Sequence, residues 1–178
     1  MSLFSKFTKN NNTADKSATC PWSQRKLTGS QSHVLPRHGH ATTVSLPTDN
    51  LVLFGGTHNK SKKDLFLIDT NNMSSHPINA TGDVPASRMY PILAPLGNNC
   101  VLLYGGQPSS ADEKWDPNFY TLNVGTRQWS RIQMPEGRLP VERSGHSVAV
   151  SGNLLYIWGG QRAGRYLDDL FIFDASTC

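Results

Sequence analysis

Residues 51–56 read Leu-Val-Leu-Phe-Gly-Gly, residues 101–106 read Val-Leu-Leu-Tyr-Gly-Gly, and residues 155–160 read Leu-Tyr-Ile-Trp-Gly-Gly. Each segment is an apolar run that ends in an aromatic residue and two glycines, and the glycine pairs stand 50 and 54 residues apart. Short apolar runs bounded by glycine predict β-strands. Self-similarity at a fixed period indicates a repeat architecture. The chain is therefore predicted to be all-β and built from about three copies of one unit.

The flanking sequence repeats with the same period. An arginine opens each unit, and a second apolar segment follows each glycine pair. The recurring segments are 4–7 residues long, are rich in Val, Leu, Ile, Phe and Tyr, and are bounded by Gly, Pro, Asn or Asp, which predicts short strands. Four short strands in a unit of about 50 residues are typical of a β-propeller blade.

Composition and charge exclude several classes of function. The 178 residues carry a net charge of +4, and residues 1–30 account for all of it. Residues 31–178 are neutral overall, which argues against a nucleic-acid-binding face because phosphates require clustered cations. No apolar run approaches the roughly 20 residues of a membrane helix, and no signal peptide is evident. We therefore expect a cytoplasmic protein without a membrane span, in which the polar residues 1–20 form a disordered leader.

Candidate metal and catalytic residues are sparse. Cys20, Cys100 and Cys178 are isolated, so neither a zinc site nor a disulfide framework is indicated. The arginines and histidines recur once per unit, whereas a catalytic site needs a single constellation. We therefore expect a protein that is not an enzyme and that holds no metal or cofactor.

The combined pattern resembles the kelch repeat, in which an Arg-x-x-His entry, an aromatic-Gly-Gly motif and a downstream Trp recur. The resemblance covers residues 22–174 and implies a kelch-type β-propeller with about three four-stranded blades, an incomplete ring. It implies strands at about 39–45, 50–54, 65–69 and 75–78 in the first unit, 90–95, 100–104, 118–123 and 129–132 in the second, and 145–150, 154–158 and 169–174 in the third. Residues 21–178 would form this partial propeller, with repeats at about 37–87, 88–142 and 143–178. Trp22 lies 15 residues before Arg37, much as Trp129 lies 14 residues before Arg143. We therefore expect residues 22–27 to be the outer strand that closes a C-terminal blade.

The repeated residues are expected to be structural. The glycines would permit close packing against the aromatic ring of the next blade, because they carry no side chain. The functional alternative is a phosphate-cradling loop, which needs a following helix, and the pattern contains none. The arginines and histidines would form hydrogen bonds between blades, with Pro91 replacing histidine in the second unit. These structural residues are Trp22, Arg37, His40, Gly55, Gly56, Arg88, Gly105, Gly106, Trp129, Arg143, His146, Gly159 and Gly160.

The residues that do not repeat are the candidates for function. The loops between the second and third strands of each unit differ in length and chemistry, and Arg and aromatic side chains on such loops suit protein recognition. Trp115 could instead cover its own blade. The candidate partner-binding residues are Lys60, Lys62, Lys63, Trp115, Arg162, Arg165 and Tyr166.

A narrower resemblance is carried by Cys20-Pro21-Trp22-Ser23, Gly29-Ser30 and Val34-Leu35-Pro36-Arg37. These residues look like the propeller entry of fungal cell-polarity and cell-end marker kelch proteins. The resemblance implies an interaction scaffold at the cell cortex or growing tip, with polarity or cytoskeleton-associated proteins as partners. A substrate-recognition propeller of a ubiquitin ligase and a kelch-type enzyme are the alternatives.

Three blades do not close a ring, since propellers use about 4–8. We expect the chain to be the N-terminal part of a longer protein. The alternative is self-association, in which two chains placed head to tail would supply six blades.

Overall fold

A computed structural model describes residues 23–28, 34–57, 65–134 and 139–177. Within these residues the chain forms short strands, followed by a single 3-10 turn at Ala175–Thr177. The strands are β1 (His38–Ser45), β2 (Asn50–Thr57), β3 (Leu65–Ile68), β4 (Ser75–Pro77), β5 (Thr81–Gly82), β6 (Arg88–Met89), β7 (Ile92–Gly97), β8 (Cys100–Tyr104), β9 (Gln107–Pro108), β10 (Phe119–Asn123), β11 (Gln128–Arg131), β12 (Ser147–Ser151), β13 (Leu154–Trp158), β14 (Gln161–Arg162), β15 (Arg165–Tyr166) and β16 (Leu170–Asp174).

The strands form three successive antiparallel sheets. Blade 1 has the order β1-β2-β3-β4, and blade 3 has the order β12-β13-β16. Blade 2 is β7-β8-β10-β11, with β5 added in parallel at its outer edge. This arrangement confirms the predicted all-β fold with about three propeller blades in a ring that is not closed.

Alternation along each strand packs the blades against one another. In β8, Val101 and Leu103 join the core with blade 1, whereas Leu102 and Tyr104 join the core with blade 3. Successive side chains of a strand point to opposite faces of the sheet, so one strand can serve two cores. Each pair of neighbouring blades therefore shares one apolar layer.

Blade 3 has one apolar face that no described residue covers. Its aromatic residue before the glycine pair, Trp158, is 43% exposed, whereas the corresponding Phe54 and Tyr104 are buried by the next blade. Leu170 and Ile172 on the edge strand β16 are exposed as well. This face has the composition of an inter-blade surface.

The N-terminal stretch meets blade 1 through the side chain of Leu27, which packs against the cluster that contains Leu53 and Phe66, and through backbone hydrogen bonds at Thr28. The Thr28 amide donates to the Met73 carbonyl at 2.8 Å, and the Ser75 amide donates to the Thr28 carbonyl at 2.9 Å. This parallel bridge repeats the pairing of β5 with β11. Residues 23–27 form no strand ladder within the described parts of the chain, so the closing strand at 22–27 stays a prediction. Trp22 and the leader 1–20 lie outside the described residues.

Candidate protein-interaction face

The arginine that opens each unit fastens the start of its own blade. Arg88 is 2% exposed, and its Nε donates to the Ala86 carbonyl at 2.9 Å. Its Nη1 donates to the Gly105 carbonyl at 3.3 Å, and its Nη2 donates to Asp116 Oδ2 at 2.8 Å. One guanidinium thus ties the blade entry, the glycine pair and the following loop together.

The same geometry recurs in the other two units. Arg37 Nη1 donates to the Gly55 carbonyl at 2.6 Å, and Arg143 Nη1 donates to the Gly159 carbonyl at 3.0 Å. The guanidinium carbons lie 5.3–5.7 Å from the ring centroids of Phe66, Tyr120 and Phe171, within cation–π range. Each side chain turns toward the glycine pair of its own unit, and Arg143 of blade 3 also interacts with the Tyr104 hydroxyl of blade 2, so a contact between blades of the expected kind is present at Arg143.

Tyr104 of blade 2 also forms side-chain hydrogen bonds to the segment that leads into blade 3. The Tyr104 hydroxyl donates to the carbonyls of Pro140 and Val141 at 3.2 and 2.9 Å. Burial raises the pKa of Tyr104 to about 12. The hydroxyl therefore stays a donor at any physiological pH.

Sequence reasoning missed Asp116 as the acceptor for Arg88. Its carboxylate also accepts from the Tyr120 hydroxyl at 2.7 Å and from the Asn118 amide at 2.9 Å. Burial by itself would raise the pKa of Asp116, but the hydrogen bonds from Arg88, Asn118 and Tyr120 outweigh it and hold the pKa below its usual value. Asp169 plays the same part for Arg143, at 2.9 Å from Nη2.

A sequence signal exists for only one of these two acceptors. Asp169-Leu170-Phe171 repeats Asp64-Leu65-Phe66, whereas Asp116 stands three residues before Phe119 and out of register with them.

The two glycines of each pair have different neighbours. A Cβ on Gly105 would clash with the carbonyl oxygen of Arg143, at 2.7 Å, and with the ring of His146, both in the next blade. A Cβ on Gly56 would lie 2.5 Å from the carbonyl oxygen of His38 in its own blade. The missing side chain of the first glycine thus allows the neighbouring blade to approach closely, and that of the second allows the entry strand of the same blade to do so. Packing against a ring of the next blade was expected, and the structure shows it at Gly105, which meets the His146 ring as well as a carbonyl, whereas Gly55 meets the Arg88 carbonyl.

His146 lies between blades 2 and 3 and is 8% exposed. Its ring meets Tyr104 edge to face, with 5.4 Å between ring centroids, and neither ring nitrogen has a hydrogen-bond partner among the described residues. Burial, with a smaller contribution from the charge of Arg143, lowers the pKa of His146 from 6.5 to about 4. His40 is half-buried and its pKa is also lowered, mainly by burial. Both histidines therefore pack as neutral rings, and the hydrogen bonds expected between blades are absent at His146 within the described ranges.

The second unit departs from the pattern at the blade entry. Tyr90 occupies the position of Gly39 and Gly145 and shares their positive φ, at 56°. Its amide donates to the Gly39 carbonyl at 2.6 Å, and its carbonyl accepts from the Gly145 amide at 3.3 Å. The strand begins only at Ile92, because Pro91 has no amide hydrogen to donate.

The tryptophan of the repeat pattern packs inward in blade 2. Trp129 is buried in the core between blades 1 and 2, with its ring edge-on to Phe54 at 5.6 Å between centroids. This burial is the structural placement expected from the sequence.

The described loops of blades 2 and 3 meet at Arg162. The guanidinium of Arg162 lies 4.3 Å from the Trp115 ring centroid, and its Nε lies 3.6 Å from Glu142 Oε2. Arg165 and Tyr166 are exposed on the same hairpin as Arg162. The structure therefore brings Trp115 and Arg162 together and leaves Arg165 and Tyr166 facing solvent. The candidates Lys60, Lys62 and Lys63 lie outside the described residues.

Other kinds of site find little support in the described ranges. They contain no group of three or more His, Cys, Asp or Glu side chains that could hold a metal ion. They also contain no helix long and apolar enough to cross a membrane.

The chain matches a family model over residues 6–178, described as the KLHDC2/KLHL20/DRC7 Kelch-repeats domain. The chain belongs to the kelch-repeat family. Its arginines, glycine pairs and sheet order are thus the repeated elements of a kelch propeller, and the resemblance seen in the sequence is confirmed. Kelch domains are protein-interaction modules, which is the general class in which this chain falls.

Several kelch proteins are similar to this chain over most of its length. Kelch repeat-containing protein 2 of Saccharomyces cerevisiae is 28% identical over 169 residues, covering 88% of the chain and 19% of the relative. Tip elongation aberrant protein 3 of Schizosaccharomyces pombe is 30% identical over 141 residues, covering 75% of the chain and 12% of the relative. The human Rab9 effector protein with kelch motifs is 27% identical, covering 77% of the chain and 37% of the relative. The chain thus spans only a minor part of these relatives.

Proposed function

We propose that this kelch chain is a non-enzymatic protein-interaction scaffold that acts in cell polarity at the cell cortex or growing tip. The proposal rests on a difference between the repeated residues, which form contacts inside the blades, and the unrepeated residues, which lie in the loops. The repeated side chains form contacts within the propeller, as Arg88 does with Gly105 and Asp116. Charged and aromatic residues that differ from blade to blade are concentrated in the loops.

The rigid blades make these loops suitable for recognition. Binding orders side chains and loops at a cost in free energy, and a preorganised surface lowers that cost. The contact of Arg162 with Trp115 and Glu142 fixes the loops of blades 2 and 3 relative to each other. Loops held on a rigid scaffold are where binding residues concentrate in proteins.

The polarity part of the proposal rests on the fungal relatives. The name of Tip elongation aberrant protein 3 connects that protein with growth at cell tips, and the chain aligns with it over 75% of its own length. We extend this role to the present chain, with polarity or cytoskeleton-associated proteins as its partners and the cytoplasm near the growing tip as its location.

Proximity labelling tests the proposal. The 178-residue chain is fused to a biotin ligase in a tip-growing fungal cell and compared with the triple variant Trp115→Ala, Arg162→Ala, Arg165→Ala. We expect labelling of cortical and tip proteins by the parent chain and loss of that labelling in the triple variant. The variant should keep its circular dichroism spectrum, because none of the three side chains is fully buried.

Two outcomes would contradict the proposal. A labelled set identical to that of the free ligase would remove the scaffold function. A set dominated by components of a ubiquitin ligase would favour the alternative of a substrate-recognition propeller.

A further inference from the structure

Thr28 is attached to blade 1 in the way that Thr81 is attached to blade 2. The Thr28 amide donates to the Met73 carbonyl at 2.8 Å, and the Thr81 amide donates to the Arg127 carbonyl at 3.0 Å. The two acceptors stand at equivalent turns, since Met73 and Arg127 have positive φ of 59° and 58°. Residue 28 therefore holds the place relative to blade 1 that residue 81 holds relative to blade 2.

This equivalence connects the segment before Thr28 with a blade other than blade 1. Thr81 follows the outer strand β4 of the preceding blade, which begins six residues earlier at Ser75. Six residues before Thr28 stands Trp22, the first residue of the predicted closing strand. Residues 22–27 thus correspond to the outer strand of a blade that would stand before blade 1.

No described blade of the same chain lies on that side. Leu27 packs with Leu53 and Phe66, whereas Phe54, the next residue of β2, packs in the core shared with blade 2. Successive side chains of a strand point to opposite faces of the sheet. The segment before Thr28 therefore lies on the side of blade 1 that is turned away from blades 2 and 3.

Blade 3 has no outer strand among the described residues. Its order is β12-β13-β16, so β16 is a sheet edge with unpaired backbone groups. Leu65, Phe119 and Leu170 are equivalent, because each pairs with the aromatic residue before its glycine pair. Leu65 and Phe119 are 6% and 2% exposed, whereas Leu170 is 59% exposed. In blades 1 and 2 the next blade covers this position.

The first glycine of blade 3 differs from its counterparts in the same way. A Cβ on Gly55 or Gly105 would clash with the carbonyl oxygen of the arginine that opens the next blade. Gly159 has a similar φ of 64°, but its Cβ would meet an atom of its own blade alone, at 3.5 Å, among the described residues. Arg37, which opens blade 1, is the counterpart that a second copy supplies.

We propose that two copies of this chain complete each other, with residues 23–27 of each copy pairing as the outer strand of the other copy's blade 3. The register of β10 with β11 then places Ser23 opposite Ile172 and Arg25 opposite Leu170. Three blades from each copy make six, within the range of about 4–8 that propellers use. The two joints of this ring are identical head-to-tail contacts.

A second copy is favoured because the new joint continues the blade-to-blade interface that the chain already contains. Between blades 1 and 2, the linker residue Ala80 packs against the core that includes Leu103 and Tyr120. Leu27 packs in the same way on the equivalent Leu53 and Phe66. Blade 1 thus carries the linker of the joint, and blade 3 carries the open strand edge and apolar face that receive it.

Backbone alternation gives a matched pair of strand variants. In β11 the Ile132 amide donates to β10, whereas the Arg131 amide turns away from β10. Amides alternate in this way along an antiparallel strand, so the Ser23 amide faces β16 in the joint and the Gln24 amide faces away. Proline has no amide hydrogen, so Ser23→Pro removes a hydrogen bond of the joint and Gln24→Pro is its control.

A second pair of variants changes blade 3. Leu170→Arg places a charge on the face that the second copy covers. Val150→Arg is its control, because Val150 is also exposed but lies on the face of β12 that Val148 turns toward blade 2. Sedimentation equilibrium and light scattering of the 178-residue chain measure the mass, and thermal melting checks that each variant is folded.

We expect the mass of the parent chain to rise from 19.6 kDa toward twice that value as its concentration increases. Ser23→Pro and Leu170→Arg should each raise the dissociation constant by about tenfold or more, because every dimer contains two altered joints. Gln24→Pro and Val150→Arg should dimerise like the parent chain. A mixture of Ser23→Pro with Leu170→Arg contains one intact joint and should associate more tightly than either variant alone.

Three results would overturn this inference. The first is a single-chain mass at every concentration up to about 100 μM. The second is dimerisation that folded Ser23→Pro and Leu170→Arg leave unchanged, because the contact would then lie elsewhere. The third is a mass that passes twice the single-chain value, since a head-to-tail contact that does not close builds an open filament. The scaffold function is judged separately by proximity labelling, which does not depend on self-association.

Discussion

Protonation of His146 should destabilise this propeller at acidic pH. The ring is buried between blades 2 and 3 with no hydrogen-bond partner among the described residues, and its pKa lies at about 4 instead of 6.5. An unfolded chain therefore binds a proton at this site more readily than the folded chain does. The stability that the neutral ring contributes is complete above pH 6.5 and is lost as the pH falls toward 4.

The size of the effect follows from the pKa difference. One pKa unit corresponds to about 1.4 kcal/mol, so the 2.5 units between 6.5 and 4 correspond to about 3 kcal/mol in full. At about pH 5 the loss amounts to about 2 kcal/mol. A domain with a typical stability of about 5–15 kcal/mol would lose a measurable fraction of it.

Urea unfolding at about pH 7.5 and about pH 5 measures this loss in the parent chain and in His146→Leu. Other titrating groups contribute equally to both proteins, so the difference between their pH dependences isolates His146. We expect the parent chain to lose about 2 kcal/mol more than the variant between the two pH values. His76→Gln, which alters an exposed histidine on β4, should behave like the parent chain.

Equal pH dependence in the parent chain and His146→Leu would refute the reasoning. A direct titration of the His146 ring by NMR gives a second, independent measurement. A midpoint near 6.5 would show that the ring is hydrated or hydrogen-bonded in solution and that its burial does not lower the pKa.

Three further substitutions test the packing of the blades. Gly105→Ala should lower the free energy of unfolding by about 3 kcal/mol or more, because the added Cβ would clash with blade 3. Gly159 has a similar φ and no atom closer than 3.5 Å to a Cβ, so Gly159→Ala should cost only about 1 kcal/mol; urea unfolding measures both. Equal losses would contradict the inter-blade role of the first glycine. Asp116→Ala should cost about 3–5 kcal/mol, since it leaves a buried guanidinium unpaired; a loss below about 1 kcal/mol would show that water replaces the carboxylate. Trp129→Ala should cost about 3–5 kcal/mol, and Trp158→Ala, whose ring is partly exposed, clearly less by thermal or urea unfolding; a reversed order would contradict the assignment of the buried face.

The strands of this chain were predictable because their signals are local and repeated. Three aromatic-Gly-Gly segments in register mark β2, β8 and β13, and the main strands begin within two residues of their expected positions. The largest displacements occur at blade entries. In blade 2, Tyr90 adopts a positive φ and Pro91 lacks an amide hydrogen, so β7 begins at Ile92. The repeat period predicts where a strand lies but not the backbone conformation of the residues at its start.

The partners of the repeated residues were not predictable to the same degree. The arginines were expected to bond between blades, yet Arg88 bonds to Gly105 and Asp116 of its own blade. Asp116 is 28 residues away from Arg88 in the chain, and no periodic signal marks it. Contacts across such separations depend on how the loops fold back, which a linear pattern does not specify.

The fold class, the blade-like unit and the set of residues that vary from blade to blade could all be inferred from the sequence alone. It could do so because strand propensity, glycine pairs and alternation act over a few neighbouring residues. Which of the varying residues face solvent depends on the tertiary structure and could not be inferred from the sequence. Trp115 and Arg162 satisfy each other across two blades, while Arg165 and Tyr166 remain exposed. The difference in exposure arises because loops that lie far apart in sequence pack together in space. Residue type alone does not specify which of their side chains come into contact.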